Sequence, residues 1–240
     1  MERRRFIKLC GTTAALAGLQ LRYLDMVRAG EAKSFNRVKL VDGQGNPLKA
    51  KNLSTKEAYI FNYPFKSTPS FLINLPAKAR GGATLPAADG DYKWGGGVGP
   101  NGTVVSYCAI CAHQLTFPTK EHAPINYYGP DTPSKKADGR TGIIVCCEHD
   151  RLYDPGDGGR MIATDKKATP PLATIVLEYD GATDEIFATG VVGENQFDSF
   201  FKSYRRELAA EYGPGVAKEQ VEATAVTLPV SQFTKIVDKC

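Results

Sequence analysis

From Arg37 onward, short apolar runs alternate with turn-forming residues. Val38-Lys39-Leu40-Val41 has the two-residue period of a half-buried strand and runs into the turn-rich connector Asp42–Pro47. Ala58–Phe61 and Ser70–Leu75 are further strand-like runs near prolines, and their aromatic residues are assigned to core packing. Val98-Gly99-Pro100-Asn101-Gly102-Thr103-Val104-Val105 reads as a turn followed by a strand. Ile175–Tyr179, the turn at Asp180-Gly181 and Glu185–Gly190 predict a closing hairpin. The period then changes. Phe197, Phe200, Phe201 and Tyr204 recur near helical spacing, which predicts an amphipathic helix over Gln196–Tyr212, packed on the domain or on a partner. Two segments read as surface loops: the glycine-rich Gly81–Gly99 around the single Trp94, and the polar, proline-containing stretch from Thr116 to Thr141.

Many short strands joined by turns predict an all-β class, and 240 residues suffice for one core with appendages. The net charge of +4 is mild and its cations are interspersed with acids. No finger, recognition helix or stacking motif accompanies it, so nucleic-acid binding is not expected. At the start, Arg3-Arg4-Arg5-Phe6-Ile7-Lys8 matches the twin-arginine export pattern. The apolar stretch Leu9–Leu21 that follows has about 13 residues, short of the ~20 needed to span a bilayer. It reads as a signal segment, with small residues at Gly30 and Ala32, or Val27 and Ala29, as cleavage candidates. Retention as a membrane anchor is the alternative. Either way the expected location is the periplasm, and the route suits cargo that takes up its cofactor before crossing.

The candidate chemistry lies in two boxes, S-Y-C-A-I-C-A-H at Ser106–His113 and I-V-C-C-E-H-D-R-L-Y-D at Ile144–Asp154. They hold four of the six cysteines, too few for a disulfide scaffold, and offer Cys111-x-His113 and Cys146-x-x-His149. Two thiolates and two imidazoles on two loops can hold a [2Fe–2S] cluster, sulfur on one iron and nitrogen on the other. The boxes resemble those of Rieske iron–sulfur proteins. The lead-in Val98–Val105 resembles the family's turn and strand, and Thr169-Pro170-Pro171-Leu172 its third, proline-bearing loop. The resemblance covers roughly Val98–Gly193. It implies an antiparallel Rieske-type sandwich with a cluster-binding subdomain, a signal or anchor helix over 1–32, the Rieske domain over 37–194 and a helical tail over 195–240. It also implies one cluster per chain, with Cys111 and Cys146 on the ferric-only iron and His113 and His149 on the iron that changes oxidation state. Such mixed ligation sets the potential at about −150 to +300 mV.

The chain departs from the family in three places. Quinol-oxidising members carry a cysteine pair three residues after the first histidine and just before the second; here Thr116 and Glu148 occupy those positions. Cys108 and Cys147 are instead expected to form a relocated disulfide between the loops, or to remain thiols. High-potential members place a serine and a tyrosine after the second histidine, where this chain has Arg151 and Tyr153. Tyr153 is expected to donate to the Cys146 sulfur while the serine hydroxyl is lost, which lowers the expected potential, with Arg151 expected to compensate in part through its charge. The segment 114–143 is longer than usual and reads as a surface insertion of low order.

The expected function is one-electron transfer, as a periplasmic carrier or as the small subunit of a respiratory oxidoreductase. Redox proteins, a larger oxidoreductase subunit or a cytochrome are the expected partners. A subunit of a quinol-oxidising cytochrome bc complex is one alternative. A structural zinc module is another, because Cys108-x-x-Cys111 with Cys146-x-x-His149 has zinc-ligand spacing. A Rieske oxygenase needs a second iron on two further histidines and a carboxylate. The chain's three histidines leave only His122 for it.

Overall fold

The computed structural model of this protein describes residues 32–87, 90–162 and 170–240. The expected signal or anchor helix, but for its last residue, lies outside the described residues, as does Thr169 of the third loop. An eight-stranded sheet runs in the order β14 (Thr224–Val226), β1 (Lys33–Val41), β13 (Glu185–Val192), β12 (Thr174–Asp180), β6 (Val104–Cys108), β3 (Pro69–Asn74), β2 (Tyr59–Asn62), β15 (Leu228–Pro229). A four-stranded sheet runs β11 (Arg160–Met161), β10 (Arg151–Asp154), β9 (Ile143–Cys146), β8 (Ile125–Tyr128). Two small ladders pair β4 (Thr84–Leu85) with β5 (Tyr92–Lys93) and β7 (His122–Ala123) with β16 (Ile236–Val237). Pairing is antiparallel except at β1–β14 and β7–β16. The helices are short: α1 (Phe197–Ser203), α2 (Arg205–Tyr212) and α3 (Val230–Phe233). The expected all-β class is observed, and no helix among the described residues is long and apolar enough to cross a membrane.

Strand alternation sorts the side chains into layers. Phe71 and Ile73 of β3 and Val105 and Tyr107 of β6 face one way, toward Ile125 and Tyr127 of β8 and Ile144 and Cys146 of β9. This core lies between the two sheets. The intervening residues Leu72, Val104 and Cys108 face the opposite side, where Val38, Leu40, Ile186, Phe197, Phe200 and Leu208 cover them. A third, smaller core of Tyr128, Ile143, Val145 and Leu152 lies on the outer face of the four-stranded sheet.

Several expectations are corrected. Gly81–Gly99 is no simple surface loop: it carries the β4–β5 ladder and buries Leu85, Tyr92 and Trp94, the Trp94 ring lying 6.4 Å from that of Tyr107. The insertion 114–143 is not a loop of low order, because it supplies β8, whose four residues are all buried. The helix expected over Gln196–Tyr212 breaks at Tyr204 (φ −105°, ψ 23°), whose ring packs 4.9 Å from Phe117. Its apolar face therefore covers the domain itself, over the segment that follows the first box. The tail is not only helical either. β14 and β15 extend both edges of the large sheet and β16 pairs with the insertion, so residues after 220 pair mainly with distant strands.

The glycine turn after the second box is set by crowding. Gly158 has φ +70°, and a Cβ there would lie 2.4 Å from Leu85 Cδ1. If Trp94 is a core residue, Trp94→Ala should cost about 3–5 kcal/mol. Urea unfolding followed by circular dichroism measures this, and a loss within the scatter of surface substitutions would return Trp94 to the surface.

Candidate metal centre

Cys111 and Cys146 arrive at one place by different routes. Cys111 follows β6 as the chain leaves the large sheet, while Cys146 ends β9 of the small sheet. Both face the core between the sheets, and both are 0% exposed. Each thiol shifts the other: the Cys146 side chain beside it lowers the Cys111 thiol to a pKa of about 6. Cys146 is pushed well above the usual thiol range, first by the Cys111 side chain and then by burial. Backbone N–H groups also aim at the sulfurs: those of His113 and Gln114 at Cys111, and those of His149 and Glu148 at Cys146. Each loop thus turns its second and third following amides back on its own cysteine.

His113 and His149 are half-buried. Their ring centroids lie 5.4 Å apart, close enough for both to reach one ion through metal–nitrogen bonds of about 2.1 Å. Cys146 Sγ lies 3.9 Å from His149 Nδ1. All four residues expected from the boxes therefore converge. The Tyr153 hydroxyl, expected to serve Cys146, lies 3.4 Å from the sulfur of Cys111 instead. Arg151 is buried at 5% exposure and stands opposite Cys146 across the β9–β10 pair.

The donor set fits a [2Fe–2S] cluster. Two buried thiols that share a proton can both be thiolates only when strong positive charge lies beside them, and four amides are already oriented toward those sulfurs. Sulfur lies inside and nitrogen at the rim, two donors of each kind. Among the described residues, no three His, Cys, Asp or Glu side chains gather to hold a single ion. The zinc set fails at Cys108 in particular. Its place in β6 turns it into the layer opposite Cys111, where burial pushes its thiol up to about 12.

The same alternation overturns the expected Cys108–Cys147 disulfide. Cys108 is a buried free thiol on the helix-covered face, and Cys147 lies against the third core on the outer face of the small sheet. Cys147 is instead bonded to Cys240, with Cα atoms 5.7 Å apart across 93 residues of sequence. The terminal residue is well anchored: Tyr128 Oη accepts its N–H at 2.7 Å, and its carbonyl accepts from Lys135 N at 2.8 Å and Ser134 Oγ at 2.9 Å. The signal for this pairing was Cys240, which with Cys10 is one of the two cysteines outside the boxes. Nothing in the local sequence pointed to its partner.

Thr116 and Glu148, which stand where quinol-oxidising relatives carry a cysteine pair, do meet. Thr116 Oγ1 donates to Glu148 Oε2 at 2.6 Å and lies 3.1 Å from His149 Nδ1. Thr116 is itself held by its carbonyl, which accepts from Cys111 N at 2.8 Å. A hydrogen bond thus joins the two loops at these positions.

Fold and site together resemble those of a Rieske-type protein. No protein-family model matches the chain. It is similar to the iodate reductase subunit IdrB of Denitromonas iodatirespirans, with 29% identity over 198 residues, covering 80% of this chain and 82% of that protein. The subunit of the same name from Pseudomonas sp. (strain SCT) is 28% identical over 193 residues, covering 80% of each. The soluble domain of Rieske protein II (soxF) from Sulfolobus acidocaldarius is 26% identical, with a TM-score of 0.44 over 65% of this chain and 78% of that one.

Two outcomes follow from this geometry. Cys240→Ser should lower unfolding free energy by roughly 2–4 kcal/mol, measured under non-reducing conditions, whereas Cys108→Ser should leave the non-reducing mass map unchanged. Iron loaded into this site should leave Thr116→Val for a chelator several-fold faster than wild type, because one of the contacts between the loops is gone. A release rate equal to wild type would show that the hydroxyl bond does not hold the loops together.

Proposed function

We propose that this protein is a one-electron carrier that holds a single [2Fe–2S] cluster on Cys111, His113, Cys146 and His149. The observation that carries this reading is the pair of thiols enclosed face to face between two sheets, with two imidazoles together at the rim. When bound, such a cluster supplies a redox centre that takes up one electron at a time. The chain's own residues do the rest. The sheets exclude water from the sulfurs, the loop amides and Tyr153 offer hydrogen bonds that favour the reduced form, and the half-buried histidines offer a short path to a partner.

The proposed setting is an oxidoreductase complex, with this chain as its small subunit. Support comes from the two relatives that are described as subunits of an iodate reductase and that match over most of their length. The proposed partner is a larger oxidoreductase subunit that exchanges electrons with the cluster; its substrate is left open. Export to the periplasm by the twin-arginine segment, with cleavage or retention as an anchor, is part of the same proposal. The cytochrome bc alternative is less favoured, since Thr116 and Glu148 replace the cysteine pair that quinol-oxidising members carry.

Purified full-length protein should contain about two irons and two acid-labile sulfides per chain, and should show the paramagnetic resonance of a mixed nitrogen–sulfur cluster after dithionite reduction. Zinc in place of iron would overturn the assignment. His149→Cys should move the potential toward the range near −400 mV of all-cysteine clusters, and voltammetry reads this directly. Should that variant bind no iron, His113→Ala must lose the cluster while keeping the wild-type β-sheet circular dichroism.

A further inference from the structure

Arg151 is a charged residue that neither the ligand set nor the packing explains. It opens β10 and pairs with Cys146 of β9, and residues directly opposite on neighbouring strands project to the same face. That face also carries Tyr153, two residues on, whose hydroxyl reaches the Cys111 sulfur. Leu152, between them, goes to the outer core with Val145. The guanidinium is therefore delivered to the side of the sheet that holds both thiols, and only 5% of the residue stays exposed.

A buried cation is unfavourable unless an anion or a full set of acceptors compensates it. Among the described residues Arg151 has neither. Its Nη1 makes one long bond, 3.4 Å to the carbonyl of His149, and its Nε is buried without an acceptor. The neighbouring carboxylates are engaged elsewhere: Glu148 with Thr116, Asp150 with Lys136, and Asp154 with Arg80. Among the described residues the charge is thus uncompensated, and its open donor sits on the thiol face of the sheet.

We propose that Arg151 is the resident counter-charge of the cluster and a determinant of its potential. The inference rests on the cluster assignment above. With two thiolates, two neutral imidazoles and both irons ferric, the site is formally neutral. One electron taken from a reductant turns one ferric iron ferrous and leaves the site singly negative. A fixed buried cation favours that state over the oxidised one, with little screening by salt. Arg151 thereby offsets the missing serine hydroxyl by charge instead of by a bond to sulfur. It acts on the redox balance without touching the partner.

The test compares full-length wild type with Arg151→Gln and Arg151→Lys. Iron, sulfide and the resonance spectrum of the wild type come first; if those fail, the cluster assignment fails and not this inference alone. With the cluster present, Arg151→Gln should reduce the ratio of reduced to oxidised protein about ten-fold at a fixed applied potential, equivalent to a fall of about 59 mV for one electron. The size of that shift should hardly change between low and high salt. Arg151→Lys should stay near wild type. A loaded Gln variant with the wild-type potential overturns the proposal, as does a Lys variant that falls as far as Gln. If the Gln variant retains no iron, the Lys variant decides alone: a wild-type potential supports the role of charge and a ten-fold loss refutes it.

Discussion

Two thiols buried against each other, away from water, cannot both ionise unless something positive lies beside them. Cys111 and Cys146 are in that position, one lowered to about 6 and the other raised, because each proton lost from the pair makes the next harder to remove. The surrounding structure serves this arrangement. The large sheet delivers Cys111 and the small sheet delivers Cys146. The core between the sheets keeps water out, and the two loops fold their amides inward to favour negative sulfur. Arg151 adds a full positive charge to the same face of the small sheet.

The second box is held from several sides. Thr116 reaches Glu148 by a short hydrogen bond, so the loops of the two boxes touch without sharing a covalent bond. The covalent link lies on the next residue along the second loop, where Cys147 is joined to the end of the chain at Cys240. Successive residues of this box therefore face different neighbours, as the alternation of a strand end dictates. Cys146 looks inward to its partner thiol, and Cys147 looks outward to the chain terminus. The third core, on which that terminus packs, exists because the insertion adds β8 to the small sheet.

The comparisons agree with this picture without specifying it. The two relatives match four-fifths of the chain at 28–29% identity. The electron-carrying role is thus a proposal about the site, and the partner a proposal about its company. The aromatic contacts of Phe117 with Phe200 and Tyr204 show one way the tail matters to the site. They tie the short helices to the segment just past the first box, so the tail belongs to the domain as much as to any partner.

Several features were legible in the residues alone. Period-two runs marked the strands of the closing hairpin, where Asp180 pairs with Glu185 across the turn. The Cys-x-His and Cys-x-x-His boxes, two local patterns, marked four side chains that do come together. Local patterns carry that much because strand period, turn chemistry and ligand spacing act within a few residues. The Cys147–Cys240 bond, the burial of Trp94, β8 inside the insertion and the strands of the tail depend on contacts between residues far apart in the chain, and no short window shows them. The face a residue occupies is decided in the same way. Cys108 and Cys111 are three apart, which suggested one zinc site, yet the layers on either side of β6 send them to opposite cores. Which thiols could meet was settled by the packing of the two sheets, because only that packing sets which side of each strand is inside.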